Sequence, residues 1–246
     1  MVRMVLLTAL AGLAVGVPLG SAVGLAQSAV PQIGLSQFGV SPLRLSASNG
    51  QEMTQLRVRN RASAALKVQV RAFEWQQIDG KDRYERASDV RISPSIVAID
   101  GYRDQTFNIV LPQQTGTGER RYRIVVDELP GAVAEMRTGT QPRLRMTVPL
   151  FIGSDTATPA KFEAKAGSTG LMLTNTGGRT AKVTRLTVKD RTGTSIPLDL
   201  AGAEYFHGGT SRAYSLPQPL TCGPGLQADI TVEGQKFDVP LPETCS

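Results

Sequence analysis

The 246-residue chain holds two cysteines, one histidine and one tryptophan, and aromatic residues make up only 5% of it. Each scarcity excludes something. Zinc sites built from four cysteines, or from two cysteines and two histidines, cannot be assembled within one chain, and a Ser-His-Asp triad could recruit only His207. Gly-rich phosphate loops, histidine-based metal clusters and nucleophile elbows are missing as well. The adjacent acids Asp127 and Glu128 project to opposite faces if they lie on a strand, so they form no facing carboxylate pair. The expectation is a non-enzyme with no catalytic residues, no metal and no cofactor; His207, beside Gly208 and Gly209, is expected in an exposed loop and receives no role.

Long apolar runs are confined to the start. Arg3 precedes an uncharged apolar stretch over 5–17, followed by Pro18, Gly20 and the small residues Gly24 and Ala26. A basic start, an apolar segment of about 13 residues and a small-x-small site read as an export signal over 1–26, cleaved after Ala26. Proline and glycine interrupt the run short of the ~20 residues a spanning helix needs, so no stable membrane insertion is expected. The mature chain then occupies an oxidising compartment. Cys222 and Cys245 are the only pair and lack Cys-x-x-Cys spacing, which favours a structural disulfide. It would close a loop of about 24 residues and contribute on the order of 3 kcal/mol.

What the sequence does hold is alternation. Leu56 and Val58; Leu66, Val68 and Val70; Phe107, Ile109 and Leu111; and Tyr122, Ile124 and Val126 all recur at period two with polar residues between them. That pattern marks strands with one buried face. The apolar parity shifts between Val70 and Phe73, which calls for a bulge or a strand buried on both sides. Asp79-Gly80 reads as a tight hairpin turn, and only residues 130–138 offer a modest helical stretch. The fold class is all-β.

The chain also echoes itself. Leu56, Arg57, Val58, Arg59, Asn60, then Leu66 and Val68, share their spacing with Leu171, Met172, Leu173, Thr174, Asn175, then Ala181 and Val183, at a constant offset of 115. Each reads as strand, Asn-led turn, strand, asparagine being suited to positive φ. Two domains are expected, 27–153 and 154–246, joined through the small polar stretch 153–159. The charge divides with them: 17 basic and 12 acidic residues in the first give +5, against 9 and 9 in the second. A sequence pI of about 9.6 suggests nucleic acid, but export and the few aromatics among the basic strands argue against that partner. Arg57, Arg59, Lys67 and Arg71 fall on the polar phase of their strands, the ordinary place for a solvated basic face.

Several segments resemble the periplasmic, PapD-like chaperones of the chaperone–usher pilus pathway. They are Val40-Ser41-Pro42-Leu43-Arg44-Leu45, Leu56-Arg57-Val58-Arg59-Asn60, Val68-Gln69-Val70-Arg71 leading to Trp75, and Ile92-Ser93-Pro94. Tyr122-Arg123-Ile124-Val125-Val126-Asp127-Glu128-Leu129-Pro130 and Arg145-Met146-Thr147-Val148-Pro149-Leu150-Phe151 complete the set, in family order across most of 38–153. The second half matches more loosely, through Leu171 to Asn175, Gly209-Thr210-Ser211-Arg212 and Ile230-Thr231-Val232-Glu233-Gly234. The resemblance implies two immunoglobulin-like β-sandwiches at an angle with a cleft between them. It also implies an activity: binding pilus subunits that lack their last strand, lending them one, and delivering them to an outer-membrane usher. A surface adhesin of the same fold is the alternative.

The candidate donor strand carries Leu144, Met146 and Val148 at period two between Pro142 and Pro149, which limit the free ladder to about the six residues between them. Three such side chains buried in a partner would contribute roughly 5–9 kcal/mol gross; the alternative is that they fill their own domain's core, and an edge strand can serve its own sheet and a guest's together. The family holds the subunit's C-terminal carboxylate with two basic residues in the cleft. Arg44 matches the first, but Pro149 stands where the second, a lysine, is expected. Either Arg145 or Arg143 substitutes, Arg145 being the expected second anchor, or the carboxylate is held more weakly or by a different arrangement. A Pro-hydrophobic-Phe ending is similar to the branch serving spore-coat-U-like and archaic pili.

Overall fold

The alternating segments become strands in the computed structural model, which describes residues 38–113, 116–130, 143–189, 193–200, 202–221 and 223–242. In the first half these are β1 (Phe38–Ser41), β2 (Leu45–Ala47), β3 (Met53–Asn60), β4 (Leu66–Ile78), β5 (Lys81–Arg86), β6 (Arg91–Ser93), β7 (Ile96–Ile99), β8 (Asp104–Val110), β9 (Arg120–Glu128) and β10 (Arg145–Ile152). The second half adds β11 (Phe162–Ala166), β12 (Gly170–Asn175), β13 (Ala181–Lys189), β14 (Ser195–Pro197), β15 (Glu204–Phe206), β16 (Ser211–Ser215), β17 (Gln227–Val232) and β18 (Gln235–Pro240). No helix occurs among the described residues. Of the modest helical stretch expected over 130–138, residues 131–138 lie outside the described residues, as do the expected leader over 1–26, Cys222 and Cys245.

Two sandwiches result, as expected for immunoglobulin-like folding. In the first, a sheet ordered β1-β3-β8-β6 faces one ordered β2-β10-β9-β4-β5, with β7 also on β4. In the second, β11-β12-β16 faces β14-β13-β17-β18, with β15 on β13. Two apolar clusters fill them, one drawn wholly from residues 38–152 and the other from 160–241. The period-two residues supply both: Leu56, Val58, Val68, Phe107, Ile109, Ile124 and Val126 are buried in the first, Leu171, Leu173, Val183 and Ile230 in the second. Each buried side chain of this size contributes about 1.5–3 kcal/mol of apolar transfer.

Asp79 and Gly80 make the expected two-residue turn between β4 and β5, both at positive φ, 51° and 71°. That conformation matches the twist of a hairpin. The parity shift on β4 needs no bulge, because its pairing with β9 runs in unbroken register from Val68↔Glu128 to Glu74↔Tyr122. Instead β4 is covered on both faces at its far end. Trp75, on the side away from the first core, packs against Tyr205 and His207 of the second half, with ring centroids 5.2 and 4.3 Å away.

The internal echo has a physical basis that differs from the one expected. Asn60 and Asn175 are both fully buried at strand ends, and neither is among the residues with positive φ. Their side chains act as staples. The Asn60 amide nitrogen donates to the carbonyls of Ala64, Ile99 and Asp100 at 2.8, 3.0 and 3.1 Å, and its oxygen accepts the Ala62 N–H at 2.9 Å. The Asn175 amide nitrogen donates to Arg179 and Phe206 carbonyls at 2.7 and 3.1 Å, and its oxygen accepts from Lys161 and Gly177 N–H at 3.2 and 3.1 Å. One residue therefore closes the corner of each sandwich. Asn60→Ala should lower the free energy of unfolding by about 3 kcal/mol, because it strands several buried backbone groups at once. Asn175→Ala should cost a similar amount, and urea titration of each variant checks both.

Candidate functional site

The edge of β10 is only partly covered. Its whole length pairs antiparallel with β9, from Arg145↔Asp127 to Ile152↔Arg120. On the other side β2 runs parallel to it, but only opposite residues 150–152. The reason lies in the preceding chain: β1 belongs to the facing sheet, and the chain crosses over through Pro42, Leu43 and Arg44 before β2 begins. Residues 145–149 thus have no strand on their outer side among the described residues. The Leu144 carbonyl accepts the Glu128 N–H at 3.0 Å. Antiparallel ladders alternate, so Met146 and Val148 also turn toward β9 while Arg145 and Thr147 turn their N–H and C=O outward. The Gly153 N–H, of the same parity, donates to the Ala47 carbonyl of β2 at 2.9 Å. Pro149 has no N–H to offer at the point where the cover ends.

The apolar series on this strand faces home. Val148 is fully buried in the first core, and Leu144 and Met146 are half-buried against it. Its other face carries Arg145 and Thr147, which join Arg71, Phe73, Tyr84, Arg123 and Val125 around an open recess of about 310 Å³.

The candidate anchor cations lie apart. Arg44 sits with its guanidinium 4.7 Å from the centre of the Phe151 ring and pairs with Glu233 at the tip of the β17–β18 turn. Arg145 pairs with Asp127, which also holds Arg71. Burial pushes the Asp127 carboxyl up, but hydrogen bonds from Arg71 and Arg145 outweigh it and hold the group below the usual carboxylate range. Arg145 and Pro149 are four positions apart, about 13 Å along the strand. The cation directly opposite Pro149 is Arg123, on β9. It lies 3.6 Å from the centre of the Trp75 ring and 5.0 Å from that of Tyr205. Sequence reasoning passed over Arg123 because it is one of several arginines on the polar phase of a strand; only the sheet register singles it out.

The same face of sheet β2-β10-β9-β4-β5 is covered further along by the second half of the chain. Gln77 of β4 donates to the Tyr205 carbonyl at 2.6 Å and to Asp82 at 2.8 Å, and accepts the His207 N–H and the Thr210 hydroxyl, each at 2.9 Å. Arg121 donates to the Gly178 carbonyl at 2.8 Å, and Glu119, buried, accepts the Thr180 N–H at 2.9 Å. His207 is 2% exposed, contrary to the exposed loop position expected for it. Gly208 explains the difference: a Cβ there would meet the Gly178 carbonyl oxygen at 2.4 Å, so the loop is pressed into the junction. Burial, then the positive charges of Arg121, Arg123 and Arg212, push the imidazole down to about 3 despite Asp82.

Among the described residues no group of three or more acids, histidines or cysteines could hold a metal ion, and no helix is long and apolar enough to cross a membrane.

Residues 37–157 match the family described as pili and flagellar-assembly chaperone, PapD N-terminal domain. Solved structures with the same fold include a chain of the chaperone–tip adhesion subunit pre-assembly complex CsuC–CsuE, from the archaic chaperone–usher Csu pili of Acinetobacter baumannii. It is 18% identical with a TM-score of 0.63, and the match covers 83% of this chain and 97% of that one. The E. coli chaperone DraB matches at 18% identity and a TM-score of 0.60, over 83% of this chain and 96% of its own. A chain from the Salmonella enterica complex of SafA pilin with the SafB chaperone matches at 13% identity and 0.56, over 84% and 95%. No curated protein sequence matches the chain.

A buried neutral histidine has a signature in pH. The unfolded chain takes up a proton near pH 6.5 that the folded chain refuses until about 3. Stability contributed by the neutral ring is therefore fully present above about pH 6.5 and declines as pH falls toward 3. Between pH 7 and 5, above the range where carboxylates titrate, the wild type should lose up to about 2 kcal/mol that His207→Gln does not. Urea denaturation of both proteins at several pH values gives the two slopes.

Proposed function

We propose, for a chain that belongs to the PapD-like pilus chaperones, that it captures strand-deficient pilus subunits on the open edge of β10 and holds them in a folded state for assembly. The observation that carries this reading is the stretch 145–149, paired with β9 on one side and, among the described residues, with no strand on the other. A subunit lacking a strand exposes an apolar groove and unpaired backbone groups, both hazards for aggregation. A donor strand removes both hazards through backbone pairing along its edge.

The energetics favour backbone over side chains. Val148 is already buried at home and gains nothing on capture, and Leu144 and Met146 retain only part of their surface to bury. Their gross contribution is about 2 kcal/mol rather than the 5–9 that three exposed side chains would give. The remainder comes from the ladder with Arg145 and Thr147 and from covering the guest's own groove. Leu144, Met146 and Val148 still define the donor strand, since a guest strand added beside β10 extends the surface they line.

Arg44 anchors the guest's terminal carboxylate, with a guanidinium that stays charged and can grip both oxygens. It is held by Glu233 in the free protein, so the guest's carboxylate exchanges for that of Glu233. Arg145, engaged by Asp127, is a poorer second cation than Arg123, which stands opposite Pro149. The leader over 1–26 directs export, the two domains are 27–153 and 154–246, and the periplasm is the site of action, where Cys222 and Cys245 can form a disulfide. An outer-membrane usher receives the loaded complex.

Thr147→Pro should leave the β9 ladder intact, since the Thr147 N–H points away from it, yet abolish co-purification of a strand-deficient subunit from the periplasm. Unchanged capture by a folded T147P protein would exclude β10 as the donor. Arg44→Ala should weaken capture about 10- to 100-fold through loss of a charge-assisted contact. Glu233→Gln should strengthen it several-fold by freeing Arg44, as measured by competition with the wild type for a limiting amount of subunit.

A further inference from the structure

Beside the edge of β10 that no described strand covers lies a face that is rich in guanidinium groups. The recess lined by Arg71, Phe73, Arg123, Val125, Arg145 and Thr147 is continuous with a second of about 450 Å³, which shares Arg71 and Arg145 and adds Arg143, Asp127 and Glu128. Four arginines thus face one carboxylate, Asp127; Glu128, the next residue on β9, projects to the opposite side and accepts the Leu144 N–H at 3.1 Å. Asp127 is largely covered and already spent on two of the guanidiniums. Arg143 is exposed, and the Arg145 side chain retains 64% of its surface. Both have the parity whose backbone turns toward the free edge, so a strand laid beside β10 would carry cross-strand neighbours of these two side chains. Opposite charges at such positions attract, and like charges repel.

We infer that the segment captured on this edge alternates acidic residues, set against Arg143 and Arg145, with apolar residues on the core side, and that this pattern selects among strand-deficient guests. The inference rests on the strand-edge reading and concerns the guest's side chains, not its terminal carboxylate.

The test uses the whole mature protein and three N-acetylated, C-amidated nine-residue peptides that alternate valine with glutamate, glutamine or lysine. Affinities come from NMR titration of the backbone amides of Arg145 and Thr147. In about 20 mM salt the glutamate peptide should bind at least about tenfold more tightly than the lysine peptide, with glutamine between. In about 500 mM salt the spread should shrink to within about threefold. Exchanging both arginines (Arg143→Glu with Arg145→Glu) should reverse the order. If that protein does not fold, Arg143→Glu alone should narrow the gap, and an unchanged gap overturns the inference. Equal affinities in the wild type, or lysine first, also overturn it. Thr147→Pro separates the two levels: if it abolishes binding of all three peptides while the wild type shows no charge order, the strand-edge reading stands and the acidic preference falls. Should the T147P protein bind them as the wild type does, or the wild type bind none at millimolar concentration, both fall together.

Discussion

The arrangement depends on a strand that stops early. β2 contributes three residues of parallel pairing to β10 and no more, because the chain before it has to cross from the facing sheet. An immunoglobulin-like sandwich ordinarily hides its backbone polar groups in ladders or exposes them to water at blunted edges. Here, among the described residues, the uncovered portion of β10 lies next to a covered portion of the same strand. The free N–H and C=O groups are therefore held in strand geometry by β9 on one side and by the continuation under β2 on the other. A guest captured as proposed would meet an edge already in the conformation it needs, so little ordering cost would fall on the protein's side of the contact.

That edge is useful only if its surroundings are fixed, and the junction between the two sandwiches fixes them. Gln77 uses both ends of one amide to join β4 to β15 and the loop after it, and buried Glu119 satisfies the backbone at Thr180. Partly satisfied networks in such a place would be worse than apolar packing. Those around Gln77 and Glu119 are largely complete; the buried exceptions nearby, among the described residues, are the imidazole Nε2 of His207, the indole N–H of Trp75 and the Nε of Arg212, whose Nη2 donates to Asp82. His207 accepts this position by remaining neutral. Trp75, Phe151, Tyr205 and His207 fill the space between, with Arg44 and Arg123 laid against their rings. Stacking on aromatic faces offsets part of the hydration that two guanidiniums lose in a partly covered site.

Much of the fold was legible in the sequence, because period-two alternation is a direct image of one-sided burial. The strands carrying Leu56, Val68, Phe107 and Ile124 were visible for that reason. The offset of 115 between Asn60 and Asn175 was visible too, but its cause was not: spacing reveals a repeated turn and cannot show that the side chain, rather than φ, closes it. The burial of His207 is not legible, because Gly208-Gly209 signals a loop and nothing local shows that the loop is wedged under a tryptophan more than a hundred residues away. The direction of Leu144, Met146 and Val148 was ambiguous in principle. Alternation gives two faces, and which of them looks inward is settled by pairing with β9. The same pairing brings Arg123 opposite Pro149, a relation between residues 26 positions apart that no motif encodes.

A bare edge invites self-association, and the residues that discourage it bear on selectivity too. Natural sheets protect their edges with charge and with proline. β10 has Arg145 on its exposed face and Arg143 just before it, and Pro149 where its cover ends. A second copy approaching edge to edge would bring arginines against arginines, and repulsion between like charges on neighbouring strands disfavours that pairing. An incoming strand with acidic residues at those positions meets attraction instead. Protection against the wrong partner and preference for the right one then follow from a single set of charges, whose effect is greatest where salt is low and the strands are closest.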